Sequence, residues 1–259
     1  MLHAYDDITV LLDHEDQVSL GTDLQALNRA IKQWRQGNEI DVGESGTLYR
    51  FLQFAAWKTG RPITFTKHGT LTDRQIVNDP AIVNLPIMEL LQLDNGTSQW
   101  ASIAVLMGNQ EARLESAPFK LKLTYEALDH WQSARQQHNV WEARRDKTII
   151  NQATAYSDWR ATGKMVFMPE QAEDYCFARA FDLMAAEEGE SRWPSLRQHE
   201  SDRIIEMEKA LAQEVVTSTD HRVVQSVAMR KGQAVTFAHP EAVNKSWPKF
   251  WEMLAHYGA

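Results

Sequence analysis

The sequence predicts an α/β protein built in two lobes. Three observations predict it: helix-periodic segments alternate with short strand-like runs, 259 residues suffice for two modest domains, and one polar, irregular stretch separates them. With 43% hydrophobic and 24% charged residues, the chain has the composition of an ordinary globular protein.

Helical periodicity, with apolar residues at i, i+3, i+4 and i+7, runs through 23–34 (DLQALNRAIKQW) and 46–60 (GTLYRFLQFAAWKTG). It continues in 82–93, 98–108 and 122–131, and again in 173–189, 201–214 and 221–232. Strand-like runs lie between them: PITFT (62–66), ARLES (112–116), KTIIN (147–151), KMVFMP (164–169) and AVTFA (234–238). The stretch 132–163 is the most polar and sets the expected joint, giving lobes at 1–135 and 136–259.

Charge and composition exclude several roles. A net charge of −8 argues against a generic nucleic-acid binder, which needs a basic surface to neutralise phosphates. No run approaches the roughly 18 apolar residues of a membrane span, and the N-terminus lacks the pattern of a signal peptide. The single cysteine, Cys176, rules out an internal disulfide and fits a reducing cytoplasm. Its apolar neighbours point to a buried packing role rather than a nucleophile. No pair of the nine histidines has metal-ligand spacing with a third ligand nearby, so no metal site is expected.

Residues suited to anions recur at expected helix starts. In GESGTLYRF (43–51), Gly43 and Gly46 permit a tight turn, Thr47 opens a helix, and Arg50 lies one turn on. Two uses fit this stretch: an anion-binding helix start, or a plain capped helix with Ser45 as N-cap and Arg50 in solvent. Arg74 follows a turn in GTLTDRQI, and Thr97, Ser98 and Gln99 stand at another helix start. His199, Glu200 and Arg203 lie in LRQHESDRI, His221 and Arg222 open a further helix, and Lys245 sits in VNKSWP. Many helix N-termini facing one cleft would hold a doubly anionic, phosphorylated ligand.

In order, GESGTLYR (43–50), DRQI (73–76), TSQ (97–99), SAPF (116–119), HESDR (199–203), DHR (220–222) and KSWP (245–248) resemble the motifs of the enolpyruvyl transferase family. There the succession is G-N-A-G-T-x-x-R, R-P-I, S-S-Q, S-K-P-Y, K-E-S/T-D-R, D-H-R and K-T/S-F-P. Each is weak alone; seven in the family's order are a strong signal. AYDDI (4–8) also resembles the S-D-D segment ahead of the first motif.

The resemblance implies an α/β (α+β) fold of two lobes of repeated βαβαββ units about an interdomain cleft, with about one unit missing or fused around 140–190. It implies transfer of an enolpyruvyl group from phosphoenolpyruvate to a hydroxyl of shikimate 3-phosphate, without metal or cofactor. The implied partners are therefore small phosphorylated substrates, not nucleic acid or membrane. Gly46, Arg74, Arg203, Arg222 and Lys245 match positions around phosphoenolpyruvate, while Thr97, Ser98, Gln99 and Ser116 match those holding the acceptor. Thr47, Arg50, His199 and His221 complete the implied binding set. Glu200 and Lys245 match the acid–base pair, and Asp174, ahead of Glu170 and Glu173, matches the family's aspartate.

The pattern also departs from the family's. Glu44 stands where the family has asparagine, placing a negative charge beside the expected anion site. His199 replaces a lysine and Phe119 a tyrosine. The family's opening G-S-K-S-x-S-N-R segment has no match, the chain starting at Met1 just past its expected place. These departures motivate two alternatives: a non-catalytic relative that binds an anionic ligand or a partner, and a subunit completed by self-association or by another chain.

Overall fold

The computed structural model describes residues 20–108, 113–136 and 147–257. The chain divides into two compact units, Met1–Ala143 and Arg144–Ala259.

In the first unit, helix α1 (Thr22–Gln36) buries Ala26, Ala30, Ile31 and Trp34, one stripe at helical spacing. Strand β1 (Glu39–Asp41) follows, with Ile40 fully buried. The chain then turns at Gly43, whose φ of +59° is the left-handed region that glycine adopts without a Cβ clash. Helix α2 (Gly46–Thr59) starts where Ser45 accepts a hydrogen bond from the Leu48 amide and stops at left-handed Gly60. Strand β2 (Thr64–Thr66) returns parallel to β1, Ile40 opposite Phe65. Short turns lead through α3 (Ile87–Leu90) to α4 (Gln99–Leu106) and α5 (Phe119–Gln136). One apolar cluster forms around Phe54, Trp100, Ile103 and Leu121, another around Trp34, Ile40, Leu52 and Leu71.

In the second unit, α6 (Lys147–Thr162), α7 (Tyr175–Ala180), α8 (Ala186–Arg192) and α9 (Arg203–Ala212) precede strand β3 (Val215–Val216). Helix α10 (His221–Lys231) carries Val223, Val224, Val227, Ala228 and Met229 into the core, against α7, α9 and the 3-10 turn Pro240–Lys245. Strand β4 (Thr236–Phe237) pairs parallel with β3, and α11 (Phe250–His256) follows.

The expectation of repeated βαβαββ units is overturned: the protein is mostly helical, and its described strands form two parallel two-stranded sheets. Each unit keeps one strand–helix–strand crossover, β1–α2–β2 in the first and β3–α10–β4 in the second. The physical reasons are local. KTIIN is the first turn of α6, because Thr148, Gln152, Ala155 and Tyr156 are buried at helical spacing, not alternately. KMVFMP alternates as a strand would, but has no strand partner among the described residues. Its Met165 and Phe167 pack on the core while Val166 and Met168 face solvent. Arg113–Ser116 of ARLES form no strand, and Ala112 lies outside the described residues, as does AYDDI. Two expected helices are also interrupted: 82–93 at Pro86, which begins a new short helix, and 173–189 near Asp182, whose φ is +58°. Of the polar stretch 132–163, α6 takes 147–162, while 137–146 lie outside the described residues.

Gly189 sits in mid-helix, where glycine costs about 1 kcal/mol relative to alanine. A Cβ there would overlap the ring of fully buried Tyr175. Gly189→Ala is therefore expected to destabilise the second unit by about 1–3 kcal/mol despite the better helix propensity, because the overpacking exceeds the propensity gain. Urea denaturation followed by circular dichroism checks the sign.

Candidate functional site

The two crossovers place the candidate residues in parallel ways. In each, the loop after the first strand leads into a helix whose first turns carry polar site residues, and the chain beyond the second strand brings back a cation. In the first unit these are Gly46, Thr47 and Arg50 on α2, with Arg74 beyond β2. In the second they are His221 and Arg222 on α10, with Lys245 beyond β4.

Arg50 is buried, so the solvent-facing alternative for it does not hold. Its Nε donates to Asp94 Oδ2 at 2.6 Å and its Nη1 donates to Gln99 Oε1 at 2.9 Å. Gln99 in turn donates through Nε2 to Thr47 Oγ1 at 2.7 Å. Asp94 also accepts from Trp100 Nε1 and from the Val77 amide, both at 2.9 Å. It manages these three contacts from a left-handed backbone, φ +46° at Asp94 and +58° at Asn95. A Cβ on Gly46 would lie 3.0 Å from Arg74 Nη1 and 3.2 Å from Arg50 Nη1, so two guanidinium groups converge over the bare helix start. Thr97 Oγ1 accepts from the Gln99 amide and Ser98 is buried beside it. Ser116 is exposed in the turn before α5, and no described hydrogen bond ties it to this cluster.

The second unit's cluster centres on Glu200. Lys245 Nζ stands 3.1 Å from its Oε1, and His221 Nδ1 lies 2.6 Å from its Oε2. Behind them Arg203 and Asp220 form a pair almost fully out of water, with Nε donating to Oδ2 at 2.8 Å and Nη2 to Oδ1 at 3.3 Å. Ser201 Oγ and the Arg222 amide also donate to Asp220, the latter capping α10. Burial works against the Asp220 charge, but the Arg203 guanidinium outweighs it and holds the carboxyl far below its ordinary value. Burial likewise opposes the charge of Glu200, yet His221 and Lys245 keep that carboxyl below the usual range. Burial holds the His221 imidazole below its ordinary pKa, against the pull of Glu200. Glu200 is thus held as a carboxylate between Lys245 Nζ on one oxygen and His221 Nδ1 on the other.

Buried Arg203 Nη1 and Arg222 Nε and Nη1 have no hydrogen-bond partner among the described residues. Guanidinium N–H groups in such a place suit the oxygens of a phosphate or carboxylate. Ligand atoms of Glu200, Asp220 and His221 lie within 4.8 Å of one another, a spacing a cation could use. Both carboxylates, however, already face Lys245 and Arg203. Adding Arg222, three cations oppose two carboxylates, a balance that favours an anion over a divalent metal.

Asp174 is brought elsewhere. It accepts from the Glu170 and Gln171 amides and from Gln152 Nε2, closing a capping box at the turn before α7. Burial raises its carboxyl pKa. None of its hydrogen bonds goes to Glu200 or Lys245. His199 Nε2 lies 3.4 Å from Ser195 Oγ, one residue before Glu200. Cys176 is wholly buried, and burial pushes its thiol up to about 12, which suits packing rather than nucleophilic attack.

Sequence reasoning missed Asp94 and Asp220 as site partners. Asp220 was findable, since an aspartate directly before an apolar helix reads as an N-cap. Asp94 was visible only as part of the turn signal D-N-G. No helix among the described residues is long and apolar enough to cross a membrane. Compared with protein-family models, curated proteins and solved structures, the chain matches none.

Proposed function

We propose that the protein transfers an enolpyruvyl group from phosphoenolpyruvate to a hydroxyl of a phosphorylated acceptor, shikimate 3-phosphate or a related alcohol. The observation that carries this reading is the Glu200–Lys245 pair, 3.1 Å apart beside the buried Arg203 and Arg222. A carboxylate and an ammonium in contact can pass a proton in either direction, and addition–elimination needs both. In the addition, the acceptor oxygen bonds to C2 of phosphoenolpyruvate, the methylene carbon C3 takes a proton, and the hydroxyl proton leaves. In the elimination, C3 returns a proton, the C2–phosphate oxygen bond breaks, and phosphate departs. Arg203 and Arg222 would hold one anionic group of the donor, while His221 orients Glu200. A net charge of −8 and a single buried cysteine fit a small-molecule enzyme of the reducing cytoplasm.

Glu200→Gln is expected to lower turnover by about 100-fold or more while phosphoenolpyruvate affinity changes by less than tenfold, the pattern of a lost proton carrier. Phosphate release and mass spectrometry of the product read the rate, and titration calorimetry reads the affinity. Neither phosphate release nor product from the wild type with both substrates would end the reading. One observation favours a second reading, a non-catalytic anion-binding protein: Asp94 already neutralises Arg50. Binding of phosphoenolpyruvate without turnover would select it.

A further inference from the structure

Glu44 is placed where a charge should hinder an anion site, and the structure turns it to another use. Its Oε1 accepts from the Thr70 amide at 2.9 Å and from the Thr70 hydroxyl at 2.6 Å. The Thr70 hydroxyl, while donating to Glu44, accepts from Arg74 Nη2 at 2.6 Å. Gly69 makes room for this: its φ is +51°, and a Cβ there would stand 2.7 Å from the Glu44 carboxyl carbon. Arg74 Nη1, on the other side of the same guanidinium, is the group that approaches Gly46 alongside Arg50.

We infer that Glu44 and Thr70 are positioning residues that aim Arg74 over the start of α2, so that it and Arg50 present two guanidinium groups to one anionic group. Each arginine is thereby held by an acid of its own, Arg50 directly by Asp94 and Arg74 through the Thr70 hydroxyl by Glu44. A carboxylate bonded through a hydroxyl polarises that oxygen as an acceptor and fixes the guanidinium plane without facing the ligand itself. The ligand assignment rests on the proposed enolpyruvyl transfer; the aiming of Arg74 does not.

Two measurements separate them. In the unliganded protein, the side-chain NMR resonances of Arg74 should show a restrained guanidinium in the wild type and in Thr70→Ser. In Thr70→Val, which keeps the shape and loses the hydroxyl, rotation about the Nε–Cζ bond should become fast. In titration calorimetry, Thr70→Val should bind phosphoenolpyruvate about tenfold more weakly, the loss expected when a guanidinium contact is no longer preorganised, while Thr70→Ser binds as the wild type does. An equally restrained Arg74 in Thr70→Val overturns the inference whatever the ligand. Wild-type-like binding by a Thr70→Val protein with a mobile Arg74 overturns the claim that the aiming serves the anion. A restrained wild-type Arg74 freed in Thr70→Val, with no binding of phosphoenolpyruvate by the wild type, upholds the positioning and ends the enolpyruvyl reading instead.

Discussion

Replacing Asp220 with alanine is expected to destabilise the second unit by about 3–5 kcal/mol, the usual cost of removing one partner from a buried ion pair. The carboxylate is wholly out of water and receives Arg203, Ser201 and the Arg222 amide. Without it the buried Arg203 cation has no counter-charge at that position, and α10 loses its cap. Peptide-resolved hydrogen exchange should show faster exchange across α9 and α10, and little change in α1 to α4. The pH dependence has a definite sign. Asp220 and His221 both have pKa values depressed by folding. A group of that kind contributes its stability above its unfolded pKa and loses it as the pH falls. Loss should therefore begin below about 6.5 for His221 and deepen below about 3.9 for Asp220, the ordinary values of the two groups. Asp220→Asn should flatten the lower of these two steps, at the cost of a less stable unit at neutral pH.

Asp94→Ala should have the corresponding effect in the first unit, again about 3–5 kcal/mol, because the buried Arg50 loses its partner while Trp100 Nε1 and the Val77 amide lose an acceptor. Backbone strain adds a second contribution that can be separated. At φ +46° an alanine retains the left-handed penalty, whereas glycine does not. Asp94→Gly should thus be less damaging than Asp94→Ala by about 1 kcal/mol. Equal losses for the two variants, measured by urea unfolding, would mean that the turn stores no strain. Asp94→Asn retains one acceptor oxygen and should fall between the wild type and alanine.

Helix starts were the most legible part of the chain. Ser45, Asp202 and Asp220 are short polar side chains ahead of apolar periods, and each accepts a hydrogen bond from an amide in the first turn of the helix that follows. Those starts carry the candidate cations Arg50, Arg203 and Arg222 with them. Strand content was legible only in part: PITFT and AVTFA hold β2 and β4, while KTIIN and KMVFMP form no strand. KMVFMP has the alternation of a strand, but pairing depends on a partner's backbone, which a local pattern does not contain. KTIIN is too short for its period to be read without the residues after it. Asp174 illustrates a different limit. An acid near a helix start can serve a ligand or cap the backbone, and only the Glu170, Gln171 and Gln152 donors around it show which use it has. Glu44 reads as an electrostatic conflict until Thr70, distant in sequence, is seen to donate two hydrogen bonds to its carboxylate.

The contact between Glu44 and Gly69 also constrains how this sequence can change over evolutionary time. With 2.7 Å between the carboxyl carbon and the place of a Cβ, a side chain at position 69 would push the Glu44 carboxylate away from Thr70. A lineage exchanging Gly69 for alanine therefore loosens the hold on Thr70, and one shortening position 44 removes it. The two sites are expected to drift as a couple, so that a history of substitutions at one is recorded at the other.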